Sequence, residues 1–428
     1  MNTSTRRHFL KQSSLAGAGL FAAHNLSIAR AADSPNSKVS LGFMGVNGRG
    51  AELARGFSAL AGVDIAAICD VDELAMNRAI KTLGEKRQPQ PKGVRDLRRI
   101  LDDKDIDALV IAAPDHWHGP ATILACAAGK HVYVEKPACH NPHEGELMIA
   151  AARKHRRHVQ LGTQRRSMPV IIEAIEKIRQ GEIGRVLLAR GWYNNMRGSI
   201  GHGKPAPVPA HLDYTLWQGP APEREYRDNY IHYNWHWFWH WGTGELGNNG
   251  IHALDVCRWG LGVDYPVRVT SGGGKYRWDD DQETPDTHVA TFDYGDRCIT
   301  WEGRSWHPRG FEGTGFGNAF YGEKGSIVIG SGDYSLYDEK DKLVKKFPGP
   351  GSQAPHLQNF LDAIRDGKKL NAEIEEGYKS SLLCNLGNIA WRTAHTLQLD
   401  PHTQKIIKDS DAEKLWRREY RRGWEPKV

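Results

Sequence analysis

VSLGFMGVNGRG, residues 39–50, is an apolar run that breaks into a glycine-rich turn and continues into the helical stretch AELARGF. Strand, glycine turn, helix is the order of a βαβ unit that binds a dinucleotide. Gly45 permits the tight turn, and Gly50 lets the helix lie close to the strand. The helix start at Gly48 and Arg49 presents free N–H groups to a pyrophosphate. Asn47 stands where the second glycine of G-x-G-x-x-G belongs; asparagine tolerates positive φ better than most residues, so the turn survives with the phosphate slightly displaced. The next apolar run, VDIAAICD, ends in Asp70, 20 residues past Gly50, where a carboxylate accepts hydrogen bonds from the adenosine ribose. A carboxylate there disfavours a 2′-phosphate, so NAD is expected rather than NADP. The alternative is a helix-capping aspartate in a nucleotide-free α/β domain.

Outward from this unit the alternation continues. Gly93 to Leu101 reads as a short helix, and IDALVIAAP, residues 106–114, as a strand covered on both faces. Asp115-His116-Trp117-His118, a helix and the strand HVYVEKP, residues 131–137, follow. Ligands of open α/β sheets bind beyond the carboxyl ends of the strands. Asp70, Pro114 to His118 and Glu135-Lys136-Pro137 all fall at such ends.

With the EKP tripeptide the chain resembles the Gfo/Idh/MocA oxidoreductases. The matching pieces are GVNGRG with Asp70, AAPDHWH, Glu135-Lys136-Pro137, Gln164-Arg165-Arg166 after VQLG, and GNNGIHALD at 247–255. The resemblance implies a Rossmann domain followed by an α/β domain with a large open mixed sheet. It also implies a Lys–Pro peptide, often cis, that aims the lysine at substrate. Carried over, Lys136 is the substrate ligand and proton-relay partner, His252 the general base, and Glu135 a neighbour of the nicotinamide ribose. Pro114, His118 and Gln164 fall with the cofactor. The family commonly has aspartate four residues before the histidine; here it is Asn248, which keeps hydrogen bonding to substrate but loses the charge.

Oxidising a secondary alcohol with NAD moves a hydride to the nicotinamide and a proton to a base. Histidine titrates in the right range, and a lysine polarises the alcohol oxygen. Set against this, Lys136 could be a surface cation and His252 a satisfied core histidine in IHALDVCRW.

The unit PVIIEAIEKIRQGEIGRVLLARGW opens the second domain, with Arg166 just before it as a substrate-binding candidate; the bland reading of Arg165 and Arg166 is solvated charge. In YIHYNWHWFWHW, residues 230–241, four tryptophans alternate with His236, Phe238 and His240, as in a strand or an irregular loop. Trp235 and Trp237 are candidates to face a sugar or cyclitol ring; filling the core is the alternative. Histidines at 232, 236 and 240 would align on a helix, but the aromatic alternation argues against one and no metal is expected. KPAPVP, residues 204–209, before HLDYTLW suggests a lid. HVATFDYGDRCITWEGR and AFYGEKGSIVIGSGDYSLYD read as antiparallel strands with glycine turns. An exposed sheet face is a liability in a monomer, so a homo-oligomer through the sheet is expected.

At 428 residues, with 39% hydrophobic and 25% charged residues, two soluble domains are the prior. Arg6, Arg7, Lys11 and Arg30 supply four of the +6 net charge and leave +2 on the body, which gives no case for nucleic acid. TRRHFLK at 5–11, a mild apolar stretch to Ala23 and the Ala29-Arg30-Ala31 step match a twin-arginine signal, so export through that machinery to the periplasm is expected. That route carries folded proteins, which suits a cofactor loaded before export. No stretch approaches the ~20 apolar residues of a membrane span. The six cysteines form no C-x-x-C pair, so buried free thiols are expected. The expected domains are 1–32 signal, 38–158 NAD-binding, 159–396 substrate and oligomerisation, and 397–428 tail.

The first reading is therefore a sugar or polyol oxidoreductase that retains NAD(H). The second is an NAD-dependent glycosidase that oxidises a ring carbon, eliminates the aglycone and reduces the ring again; relatives of that kind can lack the EKP lysine. The third is a non-catalytic sugar- or nucleotide-binding protein.

Overall fold

The computed structural model describes residues 38–85, 89–349 and 351–428. The expected signal at 1–32 lies outside the described residues.

Six strands form the first sheet: β1 (Val39–Met44), β2 (Val63–Cys69), β3 (Lys92–Val94), β4 (Ala108–Ile111), β5 (His131–Val134) and β6 (Val159–Leu161). Their order is β3-β2-β1-β4-β5-β6 and every pairing is parallel. Helices cover both faces, so β4 is buried at all four positions and its near-continuous apolar sequence is explained. β6 adds a strand just beyond the expected boundary at 158. Gly93, expected in a helix, pairs with Ile68 in β3; the short helix starts only at Arg98. A stretch this short is decided by its neighbour strand rather than by its own propensity.

The register decides where the site lies. Met44 pairs with Cys69 on one side and Ile111 on the other, and Ile111 pairs with Val134. Gly45, Asp70, Ala112 and Glu135 therefore leave the sheet at one edge.

The second sheet has nine strands: β7 (Val186–Asn194), β8 (Arg268–Gly274), β9 (Thr287–Asp293), β10 (Cys298–Arg304), β11 (Phe316–Gly322), β12 (Gly325–Ile329), β13 (Asp333–Asp338), β14 (Leu343–Pro348) and β15 (Leu397–Gln398). The order is β14-β13-β12-β11-β7-β10-β9-β8-β15; β7 and β10 run parallel and the rest antiparallel. Alternating burial in β9 and β10 leaves one face on the core and one outward. Leu187 and Val289 are exposed. The glycine-turned strands read from the sequence are β9 to β13.

The chain returns late to its beginning. On the helix Ala354–Asp366, Leu357, Phe360 and Leu361 are fully buried in the cluster that holds Val39, Phe43 and Phe57. The segment from Leu397, expected as a tail, is packed instead. β15 pairs with β8, Trp416 is buried, and Trp424 meets Trp117 edge-on at 5.3 Å. All six cysteines are free and five are buried. Among the described residues no helix is long and apolar enough to cross a membrane.

Candidate active site

The glycine turn is built by steric necessity. Gly45 has φ 83°, and an added Cβ would meet the Ala112 carbonyl oxygen at 2.7 Å. A Cβ on Gly50 would fall 1.7 Å from the Gly45 carbonyl oxygen. Nothing lies within 4 Å of the Cβ direction of Gly48, at the start of the helix Arg49–Ser58, so that side is open to a ligand. Asn47 makes no use of the positive φ expected of it; its Oδ1 accepts from Arg78 Nη2 at 2.8 Å. Asp70 ties the turn down, one carboxylate oxygen accepting from the Val46 N–H at 2.7 Å and the other from the Asp72 N–H at 2.9 Å. Burial pushes its carboxyl upward while these two bonds pull it back.

A cavity of about 480 Å³ runs from this turn into the second domain. Its cofactor end holds Gly45, Asn47, Gly48, Arg49, Asp70 and Pro114. Further along lie His118, Glu135, Lys136 and Gln164, then Trp235, Asn248 and His252. Gly50 packs behind the turn. Arg49 Nε donates to Glu135 at 2.9 Å, and Gly162 leaves the space that carboxylate fills.

The Lys136–Pro137 peptide is cis. Lys136 Nζ donates to the Asn248 carbonyl at 2.7 Å and to Asn248 Oδ1 at 3.1 Å. Burial lowers the ammonium below its ordinary range, against the pull of Glu135, Asp115 and Glu245. Asn248 sits in a π-helical turn, Leu246–Gly250, that leads into the helix Ile251–Leu261, which carries His252. Burial, and then the charges of Lys136 and Arg165, hold His252 well below the usual histidine range, so the ring is neutral. His252 Nδ1, Asn248 Nδ2, Gln164 Oε1 and Arg49 Nη2 are buried without a hydrogen-bond partner. Four orphaned polar atoms along one cleft fit an absent polar ligand better than a finished core. His252 is therefore not the satisfied core histidine of the alternative reading.

Two expected substrate residues are not in the cleft. Arg166 is buried with its Nε 2.9 Å from Asp255, its Nη1 3.4 Å from Glu376, and its guanidinium over Trp259. Arg165 is buried on Asn318 and the Gly330 carbonyl, so neither arginine is solvated either. Arg166→Ala is expected to cost about 3 kcal/mol by leaving Asp255 uncompensated, with KM unchanged. A thermal melt checks this; an unchanged Tm with a raised KM returns Arg166 to the substrate. Trp237 is the second: it is buried under the Arg197 guanidinium, 5.0 Å away, and offers no face to a sugar. The stretch is a 3₁₀ turn, Asn234–Trp237, in irregular chain and not a strand. His232 bonds Asp72, His236 the Tyr233 carbonyl and His240 the Pro222 carbonyl, so the three histidines point to separate partners.

The roof of the cleft comes from residues outside those expected to line it. The Asp213 N–H donates to the Val71 carbonyl and the Glu73 N–H to the His211 carbonyl, both at 2.9 Å, while His232 Nε2 lies 2.7 Å from Asp72. Second-domain chain is thus tied across the end of β2. Leu216, Trp217, His232, Tyr233 and His236 line the cleft as a result. Leu216 and Trp217 line the cleft, and the prolines at 205, 207 and 209 do not. The usable signal was polar histidine inside an aromatic stretch.

Residues 39–163 match the Gfo/Idh/MocA oxidoreductase family's NAD-binding Rossmann fold, and residues 190–426 match its C-terminal alpha/beta domain. The chain belongs to the Gfo/Idh/MocA oxidoreductase family. Its first domain is that family's NAD-binding domain. A glycosyl hydrolase family 109 protein of Saccharopolyspora erythraea is 33% identical over 213 residues, 45% of this chain and 46% of the relative. An alpha-N-acetylgalactosaminidase of Shewanella oneidensis is 29% identical over the same extent of each chain. The chain thus spans about half the length of these curated relatives. A levoglucosan dehydrogenase solved with NADH and levoglucosan superposes with a TM-score of 0.67 at 19% identity, over 84% of this chain and 99% of that one. The likeness is one of fold.

Proposed function

We propose that this Gfo/Idh/MocA enzyme transfers hydride between a secondary alcohol of a sugar or polyol ring and a tightly held NAD(H), the alcohol leaving as a ketone and a second, carbonyl-bearing substrate taking the hydride back before the next turnover. The observation that carries the proposal is the meeting of Lys136, Asn248 and the unpartnered His252 in the cleft that begins at the glycine turn. The bound dinucleotide supplies the hydride acceptor. The turn from Gly45 to Arg49 holds its pyrophosphate, Asp70 its adenosine ribose and Glu135 its nicotinamide ribose. An ammonium has three N–H donors; Lys136 spends two on Asn248 and keeps one for the substrate oxygen, where its charge stabilises developing alkoxide. Neutral His252 takes the hydroxyl proton. Asn248 in place of aspartate puts no negative charge beside that imidazole, which supports its staying neutral. Trp235 offers its face to the ring.

Retention is supported by the roof over the cofactor end. The test is to denature the purified enzyme, assay released NAD(H), and follow reduced nicotinamide in the intact holoenzyme on a panel of sugars and polyols. Absence of released nucleotide, or of reduction by every compound, refutes the reading. The pH profile has a defined sign. A free imidazole is half protonated at pH 6.5, whereas His252 stays neutral there, so the acid limb of kcat/KM lies below 6.5. Burial of Lys136 brings the alkaline limb below 10.5. An acid limb at or above 6.5 removes His252 from the base role.

A second reading, an NAD-dependent glycosidase working by transient ring oxidation, is favoured by the names of the curated relatives. The same lysine and histidine would serve it. Aglycone release without lasting reduction of the cofactor distinguishes it. We also propose export through the twin-arginine route, supported by residues 5–11, and association through the outward face of the nine-stranded sheet.

A further inference from the structure

Among the imidazoles that line the cleft is His236, which the proton transfer does not use. Tyr233 has φ 73°, in the left-handed region, and its carbonyl oxygen lies 2.6 Å from His236 Nδ1. A carbonyl only accepts, so Nδ1 carries the proton and Nε2 is left as a lone-pair acceptor. Among the described residues nothing bonds Nε2, and it is not among the buried orphan atoms, so it keeps contact with open space. The ring stacks on Trp235 with 3.6 Å between centroids and 19° between planes, which holds its orientation. Burial pushes the imidazole down to about 3; Lys136 and Arg197 act in the same direction, the Tyr233 bond against. The acceptor therefore persists at neutral pH.

The other polar groups nearby define what such an acceptor can read. Lys136 has one N–H to give, and Asn248 Nδ2 is an unpartnered donor. Arg197 is spent on Glu245 at 2.7 Å and the Tyr233 hydroxyl at 2.8 Å, and Asp115 on the Thr243 hydroxyl at 2.6 Å. Glu135 is held by Arg49. Apart from the one remaining Lys136 N–H and the unpartnered Arg49 Nη2 at the cofactor end, these charges are engaged by protein partners.

We infer that His236 Nε2 accepts a hydrogen bond from a ring hydroxyl next to the one oxidised, and that the substrate ring carries at least two free adjacent hydroxyls. The inference rests on the alcohol oxidation proposed above. One hydroxyl receives from Lys136 and gives its proton to His252. Its neighbour receives from Asn248 and donates to His236, which makes His236 a specificity-determining residue.

The experiment uses holoenzyme with bound NAD and reads reduced nicotinamide. Glucose, galactose and myo-inositol are compared, then the monodeoxy analogues of the best of them. In the wild type, one analogue lacking an adjacent hydroxyl is expected to lose about 10- to 100-fold in kcat/KM, mostly through KM. His236→Phe keeps the flat ring and deletes the acceptor. It is expected to lose the same factor on the parent and nothing further on that analogue, while His236→Gln, which retains an acceptor oxygen, recovers most of it. Wild-type indifference to every deoxy analogue, or undiminished discrimination in His236→Phe, overturns the inference and leaves the oxidation standing. If the wild type reduces its NAD on none of these compounds, both fall together.

Discussion

Lys136→Ala is expected to lower kcat by about 10³-fold or more while the chain keeps its full complement of NAD. The ammonium is half-buried among groups that cannot replace it. Asn248 presents a carbonyl oxygen and Oδ1 to it, both acceptors, and the unpartnered Asn248 Nδ2 is uncharged. Deleting the lysine therefore removes the positive donor beside Asn248 and His252, Arg49 being held by Glu135 at the cofactor end. NAD stays because both recorded side-chain bonds of Lys136 go to Asn248, whereas the cofactor end of the cleft is shaped by the glycine turn and Asp70. The His252 ring also loses a neighbouring positive charge, so its affinity for a proton rises and the residual activity shifts its acid limb upward. Single-turnover reduction of the bound nucleotide, with nucleotide content assayed in parallel, measures both halves. Activity above about a tenth of wild type takes the lysine out of the chemistry; loss of NAD moves it to the cofactor site.

Gly50→Ala is expected to be the most damaging single-methyl change in the first domain, costing more than about 4 kcal/mol and stripping the cofactor. The added carbon would lie 1.7 Å from the Gly45 carbonyl oxygen, a backbone atom in a residue already committed to φ 83°. No rotamer change relieves it. Either the helix Arg49–Ser58 lifts off β1 or the turn unwinds, and both move the N–H groups that face the pyrophosphate. The Ala112 Cβ, 3.3 Å from the new carbon, closes the other way out. Thermal melts and nucleotide content decide the matter. A Tm close to wild type with NAD retained would mean that the turn is not built as described.

These two positions were legible in the sequence because the physics behind them is local. A parallel strand buried on both faces is apolar along its length, so its end shows where the apolar run stops, and glycine, aspartate and lysine stood at those stops. Arg166 was not legible. Its partner Asp255 is 89 residues away, and nothing in the neighbouring sequence separates a buried guanidinium from a solvated one. Trp237 failed for a related reason: period-two alternation predicts facing only in a strand, and a 3₁₀ turn places neighbours on different sides. The roof was hidden because the Val71, Asp72 and Glu73 segment meets residues 211–213 and 232 through long-range pairing. Asn47 lines the cleft, but the positive φ expected of it is not adopted; its side chain is engaged by Arg78.

The helix Ala354–Asp366 closes the apolar layer behind β1 with side chains that arrive more than 300 residues after that strand. During synthesis the nucleotide-binding half therefore emerges with one wall of its interior missing. It waits for most of the polypeptide to leave the ribosome before it can hold its ligand firmly. Capture of the dinucleotide then becomes a late event, coincident with completion of the chain, and fragments ending before residue 354 would expose Phe43 and Phe57 to aggregation rather than serve as a separable binding module.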